Sequence, residues 1–265
     1  DQHFEEENLF INTDLNLSFE SCIFESCASH NFGGAIHCKS SLVESSQLNI
    51  LHCSFEKCTS LVQGGAIFAI TSKFWIMSSC FTNCWSREYQ ATYLKSASKY
   101  RSDINFTSFG FNGIQTNTIN KEKFNSVDTR AKTILISSPI TAIINSNSTK
   151  NVVSGLCAGI QIFSSYKAYL QYSSFVSNSG ETILHISLKN LLSSIGFINI
   201  VNNSAYDNFR EVIFLAAQIT IGRFVFIKNL RPLIKSSEYG SITLLDCDFD
   251  FLEKEIKKNR NIIDS

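Results

Sequence analysis

Proline is nearly missing from this chain and glycine is scarce, with 2 Pro and 12 Gly in 265 residues. Turns must therefore be made largely by Asn, Ser, Asp and a few Gly-Gly pairs, residues that tolerate or stabilise bent backbone. Net charge is missing too: 23 Lys and Arg balance 23 Asp and Glu, and no basic block stands out. That balance argues against nucleic acid as a partner. No apolar run approaches the length of about 18 residues that a membrane-crossing helix needs, so no membrane span is expected within the chain. Also lacking are a Ser-His-Asp grouping, a Gly-rich phosphate loop, a C-x2-C knuckle and a metal-binding His pair. The sequence thus offers no catalytic residue, no metal ligand and no cofactor site.

What it has instead is a phrase that returns. Phe24-Glu25-Ser26-Cys27 followed by Gly33-Gly34-Ala35-Ile36 comes back as Phe55-Glu56-Lys57-Cys58 followed by Gly64-Gly65-Ala66-Ile67, 31 residues later. Loosened to an apolar residue, four others, Phe, two others, then Cys or Asn, the motif runs on. It fits Phe19, Phe24 and Cys27; Ile50, Phe55 and Cys58; Ile76, Phe81 and Cys84; and Ile104, Phe109 and Asn112. Further on it fits Leu170, Phe175 and Asn178, and Ile221, Phe226 and Asn229. Leu192 with Phe197, and Leu244 with Phe249, keep only the apolar–Phe pair. The Phe-to-Phe steps are 31, 26, 28, 66, 22, 29 and 23 residues. The long step should hide a degenerate unit, with Ile144-Asn145-Ser146-Asn147 as its candidate.

Each unit carries a second apolar run after the Phe. These runs are Ala35–Cys38, Ala66–Ile70, Ala91–Leu94, Thr133–Ile136, Ile160–Phe163, Thr182–Ile186, Val212–Leu215 and Leu233–Ile234. They are short and rich in β-branched and aromatic residues, which reads as strand. Units of this length holding two or three short strands match one coil of a parallel β-helix. Leucine-rich repeats would need a Leu/Asn consensus that is missing, and a propeller blade needs about 40 residues and four antiparallel strands. The expected fold is all-β, a right-handed parallel β-helix of about eight coils with pectin-lyase-like architecture. Stacked at ~4.8 Å, eight coils make a rod of about 40 Å with the recurrent Phe inward. The expected divisions are an N-terminal edge or cap over 1–13, the repeat domain over 14–252 and a charged tail over 253–265.

The Gly-Gly-Ala-Ile and Phe-x-x-Asn phrases resemble the repeats of the polymorphic membrane protein family, first described in chlamydial surface proteins and similar to repeats in trichomonad surface proteins. The match is closest at Gly33–Ile36 and Gly64–Ile67; Phe109–Asn112, Phe175–Asn178 and Phe226–Asn229 follow it, while Cys27, Cys58 and Cys84 replace the family's Asn. The resemblance covers most of the chain and is specific in its first hundred residues. It implies a right-handed β-helix, exposure at a cell surface or secretion, and adhesion to a host-cell surface protein or glycan. The bacterial members' membrane barrel has no counterpart here.

Seven of the nine Cys precede residue 85. Cys27, Cys58 and Cys84 share one repeat position and Cys22 and Cys53 another, so neighbours would stand ~4.8 Å apart, within disulfide range. Two readings stay open: disulfides between coils in an oxidising compartment, or a column of buried thiols replacing an Asn ladder. Zinc is a third and weaker idea, from Cys22-x4-Cys27, Cys53-x4-Cys58 and Cys80-x3-Cys84 beside His37 and His52. Sequons stand at Asn16, Asn105, Asn147 and Asn202. The chain begins at Asp1 without Met or an apolar leader, which reads as a fragment or processed form with any signal peptide or anchor outside it.

A β-helix enzyme acting on acidic polysaccharide needs clustered carboxylates with Arg or Lys beside them. Asn12-Thr13-Asp14 resembles one piece of a polygalacturonase signature whose partner pieces are absent. Asp246, Asp248 and Asp250 alternate and would share the wet face of a last strand. The leading expectation is a non-enzymatic β-helix module of a secreted or surface-anchored protein, used in adhesion or glycan recognition. The alternatives are a diverged carbohydrate-active enzyme, a lyase or hydrolase, and a purely structural stalk.

Overall fold

Runs rich in Ile, Val, Phe and Thr between short polar breaks have no helical period, and the computed structural model turns them into strands throughout. It describes residues 2–5, 9–11, 16–40, 46–96, 99–113, 132–153, 156–164, 166–188, 193–205, 213–216, 218–229, 234–236, 241–249 and 262–264. Residues 253–261 of the expected tail over 253–265, Asn12 to Asp14, Leu192 and Asp250 lie outside these residues, while Ile262–Asp264 within that tail is a strand paired with Ser241–Leu245. Among the described residues the strands form sheets of 17, 9, 3 and 2 strands. Every pairing between them is parallel, from Gln2–Glu5 beside Cys22–Glu25 to Ser241–Leu245 beside Ile262–Asp264. Strands that neighbour each other in a sheet lie about one repeat apart in sequence. The chain therefore circles all faces before it returns beside itself. The fold is all-β, a repeat solenoid of parallel sheets, each circuit adding one rung.

The nine-stranded sheet holds the second apolar run of every unit, Ile36–Lys39, Ile67–Thr71, Tyr89–Ser96, Lys132–Ser137, Cys157–Ser164, Thr182–Leu188, Ile213–Ala216 and Ile234–Ser236, together with Leu9–Ile11. The 17-stranded sheet holds the Phe motif. Its register aligns Phe4, Phe24, Phe55, Phe81, Phe109, Ser148, Phe175, Ile200, Phe226 and Phe249 in one row. The rings of Phe4, Phe24, Phe55, Phe81 and Phe109 stack with centroids 4.7–4.9 Å apart and planes within 10°. The strand spacing imposes that distance, and each stacked pair adds about 0.5–1.5 kcal/mol beyond the area it buries. A second inward row, five residues earlier, runs Phe19, Ile50, Ile76, Ile104, Ile143, Leu170, Ile195, Ile221 and Leu244.

This register corrects two units. The hidden one is Ile143, Ser148 and Asn151, with a buried Ser where most others keep Phe, so the Ile144–Asn147 candidate marks the right circuit one residue out of step. The unit read as Leu192 with Phe197 is Ile195, Ile200 and Asn203. Phe197 sits on a bend and faces solvent.

The bends are where scarce glycine matters. Among the described residues, the 17 non-glycine residues with positive φ fall in two columns, five residues apart on each circuit. The first is Ser21, His52, Ser78, Phe106, Asn145, Tyr172, Phe197, Arg223 and Asp246; the second is Ser26, Lys57, Asn83, Phe111, Lys150, Ser177, Asn202 and Lys228. A left-handed residue with a side chain costs about 1–2 kcal/mol. Cross-rung backbone bonds hold these residues in place: His52 N–H donates to Met77 O at 3.0 Å and Lys57 N–H to Thr82 O at 3.0 Å. The Gly-Gly pairs do something different. Gly33 and Gly64 adopt φ of +59° and +70°, while a Cβ on Gly34 or Gly65 would lie 2.1 Å from Gly65 O or 2.0 Å from Gln90 O. The first glycine makes the turn and the second lets the next rung approach.

Candidate binding face

Each bend turns the following side chain inward, and the two resulting ladders absorb the repeat's polar residues. After the second bend stand Cys27, Cys58, Cys84, Asn112, Asn151, Asn178, Asn203 and Asn229. Each Asn Nδ2 from Asn112 to Asn229 donates to a carbonyl of the previous rung; Asn112 reaches Phe81 O at 3.1 Å and Asn178 reaches Ser148 O at 2.8 Å. Each Oδ1 accepts the backbone N–H of the rung before, as from Cys84 to Asn112 at 2.9 Å and from Asn151 to Asn178 at 3.0 Å. The thiols keep half of this role. Cys58 Sγ donates to Phe24 O at 3.4 Å and Cys84 Sγ to Phe55 O at 3.6 Å. After the first bend Cys22, Ser79, Thr107, Ser146 and Ser173 bond the carbonyl two residues back, and Cys53 does the same.

None of the nine Cys forms a disulfide. Burial pushes the thiols of Cys38, Cys53 and Cys157 up to about 11. For Cys58 the bond to Cys27 pulls the thiol down, but the bond to Cys84 and burial outweigh it and the net shift is upward. Such thiols stay protonated at neutral pH and are poor nucleophiles. Among the described residues no group of three or more His, Cys, Asp or Glu is placed to hold a metal ion.

The chemistry that faces solvent is unevenly divided. On the short strand between the two bends, one outward row reads Ile23, Ser54, Cys80, Ser108, Asn147, Ser174, Asn199, Val225 and Asp248, mostly small and uncharged; the other reads Glu5, Glu25, Glu56, Thr82, Gly110, Thr149, Val176, Val201 and Ile227, with its carboxylates gathered at one end. The face before the first bend is different. Its outward positions bring together Lys73, Trp75, Arg101, Asp103, Lys167 and Tyr169. One row runs Asn49, Trp75, Asp103, Ala142 and Tyr169; beside it Arg101, Ile140 and Lys167 align. Lys73 Nζ lies 3.8 Å from the Trp75 ring centre. Arg101 places Nε and Nη2 each 2.6 Å from Asp103 Oδ1, and its Cζ lies 5.6 Å from the Tyr169 centroid. Tyr100 and Tyr166, just before Arg101 and Lys167, are more than half exposed. On the adjoining bend Tyr172 stacks on Phe197 at 4.7 Å, Arg223 lies 4.9 Å from the Phe197 ring, and Phe106 is 61% exposed.

A second polar cluster lies on and beside the nine-stranded sheet, with Lys132 and Gln161 buried in it. Gln63 Nε2 meets Glu88 Oε2 at 2.7 Å, the Lys132 ammonium lies 5.1 Å from the Tyr89 ring, and Gln161 Nε2 lies 3.3 Å from His185 Nδ1. Burial, then the charge of Lys132, lowers the His185 pKa to about 4, so its imidazole is neutral at physiological pH. Burial and Lys39 lower His37 in the same direction.

The repeat residues named from sequence lie in the packing and turning positions: Phe24, Phe55, Phe81, Phe109, Phe175 and Phe226 are fully buried, as are Cys27, Cys58 and Cys84. Asp246 and Asp248 do not share a strand face, because Asp246 occupies the bend. The sequon residues Asn16, Asn147 and Asn202 are exposed and Asn105 is half-buried. The aromatic and basic face had no linear motif to announce it, since its members come from separate rungs. The only signal was the outward position of each strand, which becomes readable once the register is known. No family model, curated protein or solved structure matches the chain significantly.

Proposed function

We propose that this chain is a right-handed parallel β-helix of pectin-lyase-like architecture, with ten rungs along its Phe row, related to the polymorphic membrane protein repeats. In this reading it is a non-enzymatic recognition module of a secreted or surface-anchored protein, and it binds a host-cell surface through a glycan or protein. The observation that carries the reading is the gathering of exposed Trp75, Tyr172 and Phe197 and half-buried Tyr169 with Lys73, Arg101 and Arg223 on one side. Large exposed aromatics flanked by cations mark interaction surfaces. The carboxylate at the centre of that side, Asp103, is tied to Arg101 and is 15% exposed, which suits an anchor and not a general acid or base. No helix of the described residues is long and apolar enough to cross a membrane.

The test is adhesion of the labelled chain to cultured epithelial cells, with Trp75→Ala/Tyr169→Ala as the variant and circular dichroism as the fold control. Adhesion that is saturable and lost in the folded variant supports the reading. Release of reducing or unsaturated sugars from polysaccharide by the wild type would replace it with the enzymatic alternative, and absence of any binding would leave a stalk.

A further inference from the structure

On the secretion part of that reading, we infer that Asn147 and Asn202 are N-glycosylation sites, each carrying an oligosaccharide on its Nδ2. A chain rich in Asn, Ser and Thr makes sequons readily, and here the fold separates the usable ones from the rest. It divides the asparagines into two kinds. Asn112, Asn151, Asn178, Asn203 and Asn229 belong to the inward ladder, and each commits Nδ2 to a carbonyl of another rung. A sugar on any of them would break the ladder, and none is followed by Ser or Thr two residues on. Asn202 and Asn203 show the division at its sharpest. Ser204 completes a sequon for the exposed bend residue, while Ala205 denies one to its buried neighbour.

Both exposed asparagines keep an N–H that a sugar can replace. Asn147 faces outward on the short strand between the bends, with Ser108 and Ser174 as its small neighbours in the row. Its Oδ1 accepts from Ser174 Oγ at 2.5 Å, and its Nδ2 donates to nothing among the described residues. Asn202 sits on the second bend at a φ of 54°, held by its own N–H to Ile227 O at 2.8 Å. Its Nδ2 gives one N–H to Ser177 Oγ at 3.2 Å and has a second to spare. A glycosylated amide nitrogen retains one hydrogen, so that bond survives the modification. The two sites are two rungs apart, about 10 Å along the axis, which separates their first sugars. Asn105 is the counter-case. Its Oδ1 is buried, and Thr107 of its sequon is 1% exposed, with its hydroxyl donated to Asn105 O at 2.9 Å. A sugar there would have to lift the side chain off the rung. Asn16 is exposed too, but it borders residues outside the described set, so the assignment rests on Asn147 and Asn202.

The reaction is a group transfer from a lipid-linked oligosaccharide diphosphate, made by a transferase of the secretory pathway. Nδ2 bonds to the anomeric carbon, and the bond from that carbon to the phosphate oxygen breaks. The lipid diphosphate leaves with the electron pair, Nδ2 yields one proton to a base of the transferase, and nothing is oxidised or reduced. The test is peptide mass spectrometry of the full chain purified from the cells that make it. Treatment with a peptide N-glycosidase in heavy-oxygen water leaves a labelled Asp wherever a glycan stood. A membrane-impermeant biotin reagent, with assay of the medium, reports whether the chain is exported. Label is expected at Asn147 and Asn202 and not at Asn105. Asn147→Gln and Asn202→Gln should each remove one step of the gel shift that the glycosidase causes. Thr149→Ala and Ser204→Ala, which keep both asparagines, should remove the same steps. An exported chain unlabelled at Asn147 or at Asn202 overturns the assignment of that residue and leaves the secretion reading standing. Label at Asn105 as well overturns the selection by the fold. An unlabelled chain retained in the cytosol overturns both the glycans and the secretion reading.

Discussion

The exchange of Cys for Asn along one ladder shows what a single side chain must do in a stacked fold. Asn is both donor and acceptor across rungs, so one residue satisfies a carbonyl below it and a backbone N–H beside it. A thiol donates weakly and accepts poorly. Replacing Cys84 by Asn should therefore extend the ladder, its Oδ1 meeting the Cys58 N–H and its Nδ2 the Phe55 carbonyl. The expected change in urea stability is neutral to about 1 kcal/mol stabilising, against a loss of about 3 kcal/mol or more for Asn178→Ala, which strands several buried groups at once. A Cys84→Asn variant as unstable as Asn178→Ala would contradict the ladder. His185 gives a pH test. Its folded pKa of about 4 lies below the ordinary 6.5, so the unfolded chain takes up the proton first as pH falls. Its contribution is present above pH 6.5 and is lost progressively as pH drops to about 4, on the order of 3 kcal/mol in all. His185→Gln should show a smaller drop in urea midpoint between about pH 7 and about pH 5 than the wild type; equal drops would remove His185 as the cause.

Strands here are ordinary, and the individuality of the fold lies in its bends. A bend that holds Phe, Tyr, Arg or Lys at positive φ accepts a backbone penalty, and Ser78 is an exposed example. Ser78→Gly should raise stability by about 0.5–1 kcal/mol, read as a higher melting temperature. Gly65→Ala should do the reverse and cost roughly 3 kcal/mol or more, because its Cβ would strike backbone on the next rung. A silent Gly65→Ala would mean that the rungs are not so closely stacked. The strands and the Phe row were legible in the sequence, because inward positions repeat apolar residues at fixed spacing. The rung at Ser148 was misplaced by one residue and the one at Ile200 by three, since the first lacks Phe and the second offers Phe197 as a decoy nearby. The bends were not legible. Positive φ is usually announced by Gly or Asn, and most residues in these two columns are neither. Trp75, Arg101 and Tyr169 were not legible as a site for a related reason: their proximity arises only from stacking, across 94 residues of sequence.

The whole molecule is a stack in which each circuit touches mainly its neighbours, so its stability is a sum of similar interfaces. Repetition of Phe, Gly-Gly, Cys and Asn serves that stacking, and what varies from rung to rung faces solvent. The solenoid keeps the interior generic and leaves variation to the faces, which is why the same phrase can recur while the outward residues change from rung to rung. If the repeated Cys are inward packing residues, their thiols must be present but out of reach. Counting thiols with a chromogenic disulfide reagent, on protein kept free of reductant, tests this in one measurement. The prediction is nine reactive thiols in denaturant. In the native protein only the half-buried Cys80 and Cys247 should react promptly, with the rest shielded. Fewer than nine thiols in denaturant, or prompt native reaction of Cys27, Cys58 and Cys84, would contradict the stacked interior on which everything else rests.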